Sequence, residues 1–297
     1  MGGGNESYDY STTISNTTEI ISSKTEINDF VENLIKDMQI PKEILEKIKN
    51  NIDKIIYKFK ESGIDVEDIS WEGSFSKRTY VEGLSDIDLL VSLGTYSESD
   101  FEYKDNSKLA LKRLKELICE RYPKTDIKVG NMAVTVTFSD GIELQFLPAF
   151  KYYNGYIIPD PKTDGWIKTF PNRFKSEFTK LNEMLNGKMK PTIRLIKDLF
   201  DKNGINLSSY HIEHLALKIL RDYKGPCTYS AMLLGFLNGA KVEIGTKLQD
   251  ISEQSVYVDD YLGGNRSQSR NAYAMKIKSI EQVLEKYDYD KWVDYFE

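Results

Sequence analysis

Trp71-Glu72-Gly73-Ser74-Phe75-Ser76-Lys77-Arg78-Thr79 runs into YVEGLSDIDLLVSL, Tyr80 to Leu93, an apolar stretch interrupted by Asp86 and Asp88. Side chains alternate faces along a strand, so the two carboxylates point the same way. Two acids on one face offer the oxygen ligands that hard divalent cations prefer. A pair of such ions about 3.5–4 Å apart can hold both the attacking and the leaving oxygen of an in-line phosphoryl displacement. An Asp-x-Asp pair alone also suits a solvated strand edge. Gly73-Ser74, with Asp86 twelve positions after Ser74, shifts the weight: glycine lets the backbone approach a phosphate closely, and serine offers both a hydroxyl and an N–H.

Outward from this stretch, the 297-residue chain carries 40 basic and 46 acidic side chains, a net charge of −6. That balance excludes the strong positive bias of proteins that coat nucleic acid. Two cysteines, Cys119 and Cys227, are too few for a disulfide framework or a cysteine-based zinc site. No apolar run approaches the roughly 18 residues of a membrane span, and the N-terminus lacks the pattern of a signal peptide. A cytoplasmic location without a membrane partner is expected.

Residues 1–24, rich in Gly, Ser, Thr and Asn, predict a flexible arm. Helical spacing from Glu26 to Met38 and from Pro41 to Lys60 predicts one spine broken near Ile40. The period then changes. VEDISWEG, DIDLLVSL, DIKVG, MAVTVTF and IELQFLPAF read as strands, the last two joined by the hairpin signal Ser139-Asp140-Gly141, and Asn106 to Tyr122 reads as an amphipathic helix. From Asp164 onward the pattern is mostly helical, with FPNRFKSEFTKLNEML, KPTIRLIKDLF, SSYHIEHLALKILRDY and YAMKIKSIEQVLEKY as the clearest helices. The expected organisation is an arm (1–24), an α/β unit with its helical spine (25–165) and a helical lobe (166–297).

Gly73-Ser74 followed by Ser85-Asp86-Ile87-Asp88-Leu89-Leu90 resembles the signature of the nucleotidyltransferase superfamily related to DNA polymerase β. The ending Leu147-Pro148-Ala149-Phe150 resembles a narrower group, the oligoadenylate synthases and the bacterial synthases of cyclic di- and trinucleotide messengers. KPTIRLIKDLFDKNGINLSSYHIEHLA, from Lys190 to Ala216, resembles the nucleotide-binding helices of cyclic GMP-AMP synthase. The resemblance implies an α+β, bilobed fold: a mixed-sheet lobe with a helical spine, and a C-terminal helical-bundle lobe, with the active site in the cleft. It also implies a template-independent enzyme that joins nucleoside triphosphates, releases pyrophosphate and makes a cyclic di- or trinucleotide. Bacterial relatives of this group work in anti-phage defence, where the product activates a separately encoded effector.

By the same resemblance, Gly73 and Ser74 hold the donor triphosphate, and Asp86 and Asp88 bind two Mg²⁺ ions, with Mn²⁺ as the alternative. The oligoadenylate synthases place an aspartate where this chain has Gln145. Glu143, two residues earlier on the same strand face, is the expected third acid, with Gln145 assisting. It lies about 6.6–6.8 Å further along the strand, a gap that the extra methylene of Glu does not close alone. Lys197 would contact the triphosphate, Ser209 would sit nearby, and Tyr210 would stack on a base, a contact worth roughly 1–3 kcal/mol. No nucleic-acid template and a monomer or weak oligomer are expected.

Other polar residues are less specific. Thr79 follows the Gly-Ser turn and is a candidate for the metal or phosphate region, and Arg194 either adds to a phosphate patch or pairs with an acid. His211 and His214 lie i, i+3 without a third ligand and read as non-metal. Trp166 reads as an anchor between lobes, while the role of Asp259 and Asp260 is not readable from their chemistry. Two other functions stay open: transfer of a nucleotide to an RNA end or small acceptor, and nucleotide sensing with little catalysis.

Overall fold

The computed structural model describes residues 10–61, 68–81, 87–95, 106–123, 125–138 and 141–297. The chain begins with helices α1 (Tyr10–Asp37) and α2 (Lys42–Glu61), then β1 (Asp68–Trp71), the short α3 (Gly73–Lys77), β2 (Ile87–Thr95) and α4 (Ser107–Arg121). Strands β3 (Asp126–Val129), β4 (Val134–Thr137), β5 (Glu143–Tyr152), β6 (Gly155–Pro159) and β7 (Trp166–Thr169) complete a sheet that has seven strands among the described residues. Helices α5 (Pro171–Met184), α6 (Met189–Lys202), α7 (Ser209–Leu220), α8 (Tyr229–Glu243), α9 (Gln268–Leu284) and α10 (Tyr289–Phe296) follow.

The order β1-β2-β5-β4-β3 puts β2 beside β5 in parallel, with Asp88 opposite Gln145, while β1, β4 and β6 run antiparallel to their neighbours. A parallel pair cannot be closed by a tight turn, and the connection carries α4 and the β3–β4 pair. Alternation then sorts the side chains. Ile87, Leu89 and Val91 join Leu144 and Phe146 on one face, packed with Ile48, Ile52 and Ile55 of α2 and Leu111, Leu114 and Ile118 of α4. Asp88 and Gln145 therefore occupy the other face, where Leu90, Ala149 and Ile158 make a small apolar cluster.

The expected spine is present, broken between Asp37 and Lys42, but its halves serve different cores. Ile48, Ile52 and Ile55 of α2 lie under the sheet, whereas Ile27, Val31 and Ile35 of α1 are buried with Phe178, Leu199, Phe236 and Trp292 in the helical lobe. The helix also starts at Tyr10, inside the stretch expected to be a flexible arm; its sequence lacks an apolar period there, and helical hydrogen bonding continues without one. Trp166, expected to open the helical lobe, opens β7 instead, edge-on to Phe150 at 5.1 Å. The helices of that lobe begin at Pro171, a first-turn proline. Among the described residues no helix is long and apolar enough to cross a membrane.

The placement of α1 gives a direct test. Ile27 is 0 % exposed, so Ile27→Ala is expected to cost about 2–5 kcal/mol in chemical denaturation. Exposed Glu32 on the same helix should tolerate alanine within about 0.5 kcal/mol.

Candidate functional site

The turn after β1 is stitched to β2 at Asp88: the Glu72 N–H donates to the Asp88 carbonyl at 2.9 Å. Gly73 follows with φ of 57°. A Cβ built on Gly73 would lie 1.7 Å from Asp88 Oδ2. Both the backbone conformation and the space demand glycine here, since only its missing side chain lets the turn close onto the carboxylate. Ser74, buried, accepts the Thr79 N–H on its carbonyl at 2.9 Å, which closes the loop behind the turn, and Trp71 stacks on Phe75 at 4.5 Å.

Above this turn opens a cavity of about 540 Å³, within the usual range of small-molecule sites. Gly73, Ser74, Asp88 and Gln145 line its sheet side, and Ser209, Tyr210 and Glu213 its helical side. Ser252 and Gln254 contribute from the segment between α8 and α9. That segment is fastened to the sheet lobe, because the Phe170 N–H donates to the Ser252 carbonyl at 2.7 Å.

Asp88, Gly73, Ser74, Gln145, Ser209 and Tyr210 are thus brought together around one cavity. Asp86 lies outside the described residues. Glu143 is placed differently: it opens β5 opposite Thr137, its exposed carboxylate accepts the Thr137 hydroxyl at 2.8 Å, and it is not part of the cavity wall. Gln145 is the residue that faces the cavity directly across from Asp88. Lys197 also stands back from the cavity. Buried in α6, it donates to Glu213 Oε1 at 3.0 Å and to the Thr79 carbonyl at 2.9 Å. Burial pushes its ammonium pKa down, an effect that Glu213 opposes.

Thr79 is likewise held away from the cavity, its hydroxyl donating to Glu213. Arg194 donates to the Met38 carbonyl at 3.3 Å and so ties α6 to the end of α1. The Ser208 side chain caps α7 by accepting the His211 N–H, which sets Ser209 and Tyr210 in the first turn facing the cavity. The Tyr210 hydroxyl donates to Asp250 at 2.6 Å, and its ring is braced by His214, itself stacked on Phe174 at 4.1 Å. Burial, and then Asp250, push the phenol pKa far up, so Tyr210 stays a neutral surface.

The two histidines serve different partners. His214 meets the Tyr210 carbonyl through Nδ1, while His211 meets the Tyr261 hydroxyl through its own Nδ1. Their Nε2 atoms face Asp250 at 3.6 Å and Asp259 at 3.8 Å. Among the described residues no group of three His, Cys, Asp or Glu side chains is arranged to hold a metal ion. Asp259, opaque in the sequence, is buried against Arg270 at 2.6 Å, and Arg270 also donates to the carbonyls of Ile244, Thr246, Gly263 and Gly264. This knot is structural: it fixes the segment that carries Tyr261 to the start of α7.

Sequence reasoning missed Glu213. It is 1 % exposed and takes Lys77 at 3.1 Å on one oxygen and Lys197 at 3.0 Å on the other. The available signal was a lone acid amid Ile212, Leu215, Ala216 and Leu217, on a helix otherwise set for burial. Burial pushes its pKa up, but Lys77, Lys197 and the donated hydrogen bonds outweigh that and hold it at about 2. As a carboxylate for the hard-cation chemistry considered above, Asp88 fits with the Gln145 amide beside it, an oxygen donor set open to the cavity.

Two outcomes follow from this geometry. Gly73→Ala should cost about 1–3 kcal/mol from the left-handed backbone alone, and should also displace Asp88, seen as weakened binding of Mn²⁺ in calorimetry. The stability that Glu213 contributes is fully present above its ordinary pKa of 4.5 and is lost as pH falls toward about 2. Acid unfolding of Glu213→Gln should lack that component, measured as a flatter loss of stability between those pH values.

The model of the second messenger oligonucleotide or dinucleotide synthetase domain matches residues 22–182. A probable cyclic nucleotide synthase of Bacillus cereus (strain VD146) is 27% identical over 207 residues, which span 58% of this chain and 61% of that protein. The fold is also similar to that of CdnC from E. coli MS115-1, solved with ATP (TM-score 0.67, 14% identity, 92% of this chain and 95% of that one). The Bradyrhizobium diazoefficiens CD-NTase CdnG, solved with GTP, is similar too (TM-score 0.70, 12% identity, 91% and 94%). The mixed sheet faced by a helical lobe is the polymerase-β-like nucleotidyltransferase architecture of these proteins, and the chain belongs to the second messenger oligonucleotide or dinucleotide synthetase family.

Proposed function

We propose that this chain is a template-independent nucleotidyltransferase that joins nucleoside triphosphates into a cyclic di- or trinucleotide messenger and releases pyrophosphate. The observation that carries the reading is the closure of the Gly73 turn onto Asp88 at the floor of a cavity whose opposite wall is Ser209 and Tyr210. Phosphate chemistry has an acid-lined floor there, and a base has an aromatic surface across from it. Family membership and the ATP- and GTP-bound relatives support the same reading.

In this proposal the donor base rests on Tyr210, whose hydroxyl is already committed to Asp250 and whose ring is therefore fixed. Its phosphates lie toward Gly73 and Ser74. A ribose hydroxyl of the second nucleotide attacks the α-phosphorus as the bridge to the β-phosphate breaks. Repeating the step within the linear product closes the ring. Asp86 and Asp88, with Gln145 level with Asp88, are the residues that would hold two Mg²⁺ ions, and Glu143 would join them as third acid only by leaving Thr137. When bound, such ions neutralise charge on the phosphates and on the attacking and leaving oxygens. The protein's own share is positioning and electrostatics, since phosphoryl transfer asks little covalent chemistry of it. The product would act on a separate effector protein, as in anti-phage signalling.

A specific observation favours a second reading, nucleotide sensing with slow catalysis: Gln145, not an acid, faces Asp88 across the strand pair. Incubation with the four ribonucleoside triphosphates and Mg²⁺, without acceptor, separates the two. A nuclease-resistant product lacking a terminal phosphate is expected, and Asp88→Asn should reduce its formation by at least about 10²-fold. Glu143→Gln should slow it too if that acid completes the metal site. Nucleotide binding without any product, rescued to turnover by Gln145→Asp, would instead establish the sensor.

A further inference from the structure

Three charged groups that the proposed chemistry does not use converge at the wall of the cavity, Lys77 and Glu213 in the wall and Lys197 behind it. Lys77 belongs to α3 of the sheet lobe, while Lys197 and Glu213 belong to α6 and α7 of the helical lobe. Glu213 places one carboxylate oxygen on each lysine, at 3.1 Å and 3.0 Å, and takes the Thr79 hydroxyl as well. Lys197 returns to the sheet side through the Thr79 carbonyl at 2.9 Å, and Lys77 donates to the Gly73 carbonyl. Every member is buried: the exposures are 7 % for Lys77, 0 % for Thr79, 3 % for Lys197 and 1 % for Glu213.

Such a cluster is costly unless fully paired, because a buried charge left without its partner loses several kcal/mol of compensation. Here it is paired, and its bonds run from one lobe to the other. They also end on the backbone of Gly73, the residue packed against Asp88. Two lysines share the Glu213 carboxylate, the Asp88 carboxylate adds its charge near Lys197, and Lys77 and Glu213 form part of the cavity wall. Lys77 thereby places an ammonium on the wall of the space that the nucleotide would take.

We propose that Glu213 is a positioning residue for the nucleotide site. A single buried carboxylate takes Lys77 from one lobe and Lys197 from the other, and so fixes the Gly73-Ser74 turn at its working distance from Ser209 and Tyr210. This rests on the nucleotidyltransferase reading above. Glutamine cannot replace it. A carboxamide offers one oxygen, not two, and turns its NH₂ donors toward an ammonium. One lysine must then swing away, and the turn loses its inter-lobe reference.

The test compares wild type, Glu213→Gln, Glu213→Asp and the double variant Lys197→Met with Glu213→Gln. Each is scored by thermal unfolding, by ATP titration calorimetry in Mg²⁺, and by KM and kcat for product formation. Glu213→Gln should lower kcat/KM by about 10²-fold, mainly through KM, and weaken ATP binding to match. Glu213→Asp, which keeps both oxygens, should recover part of that loss. The double variant removes the unpaired buried cation, so it should regain thermal stability without regaining ATP affinity. The inference is overturned if Glu213→Gln binds ATP and turns over as wild type does, or if the double variant recovers affinity together with stability. Wild type that binds ATP but forms no product would instead count against the synthase reading, and the calorimetry would still decide the role of Glu213.

Discussion

The space above Gly73 is already filled by the Asp88 carboxylate, and the architecture follows from keeping it so. Any side chain at Gly73 would collide with Asp88, and any slip of β2 by one residue would turn Asp88 into the apolar core while sending Ile87 or Leu89 out. The burial of Ile87, Leu89 and Val91 against α2 and α4 therefore does two things at once. It stabilises the sheet, and it sets which face the acid occupies. The parallel pairing with β5 then brings Gln145 level with it.

The helical lobe completes the site from the opposite side. Its core, which includes the first half of the spine, holds α6 and α7 rigid enough for Tyr210 to be presented as a braced ring. Three polar linkages keep the lobes in register around the cavity: the Glu213 cluster, the Phe170-to-Ser252 backbone bond and the Lys175 side chain on Glu72 at 2.9 Å. Two of these are buried ion pairs or half-buried ones, which add specificity of arrangement more than net stability.

Much of this was legible in the sequence, and the physical reason is periodicity. DIDLLVSL alternates with period two, and α6 and α7 repeat their apolar residues with helical spacing, so elements and faces could both be read. The Gly-Ser turn and Tyr210 announced themselves by residue type. What was hidden depends on long-range pairing. Glu213 meets Lys197 from a neighbouring helix and Lys77 from the other lobe, and Asp259 meets Arg270 across a loop. Nothing in local spacing reports such partners. The motif that points Lys197 toward the phosphates carries no sign of the Glu213 carboxylate that it meets behind the wall. Helix α8 escaped for a different reason. With Met232, Leu233, Phe236, Leu237 and Ala240 all buried, its apolar residues do not stand out as a stripe. The start of α1 is the reverse case, a helix whose first turns carry no apolar period at all.

In the proposed function the phosphates of a nucleotide lie on the floor of the cavity, at Gly73, Ser74 and Asp88. An experimental structure with a non-hydrolysable ATP analogue and Mg²⁺ tests it most directly. The phosphates are expected over the Gly73-Ser74 turn, a metal ion on Asp88, and the base against Tyr210. A nucleotide bound elsewhere, or bound here with its base on Asp88 and its phosphates on Tyr210, would contradict it.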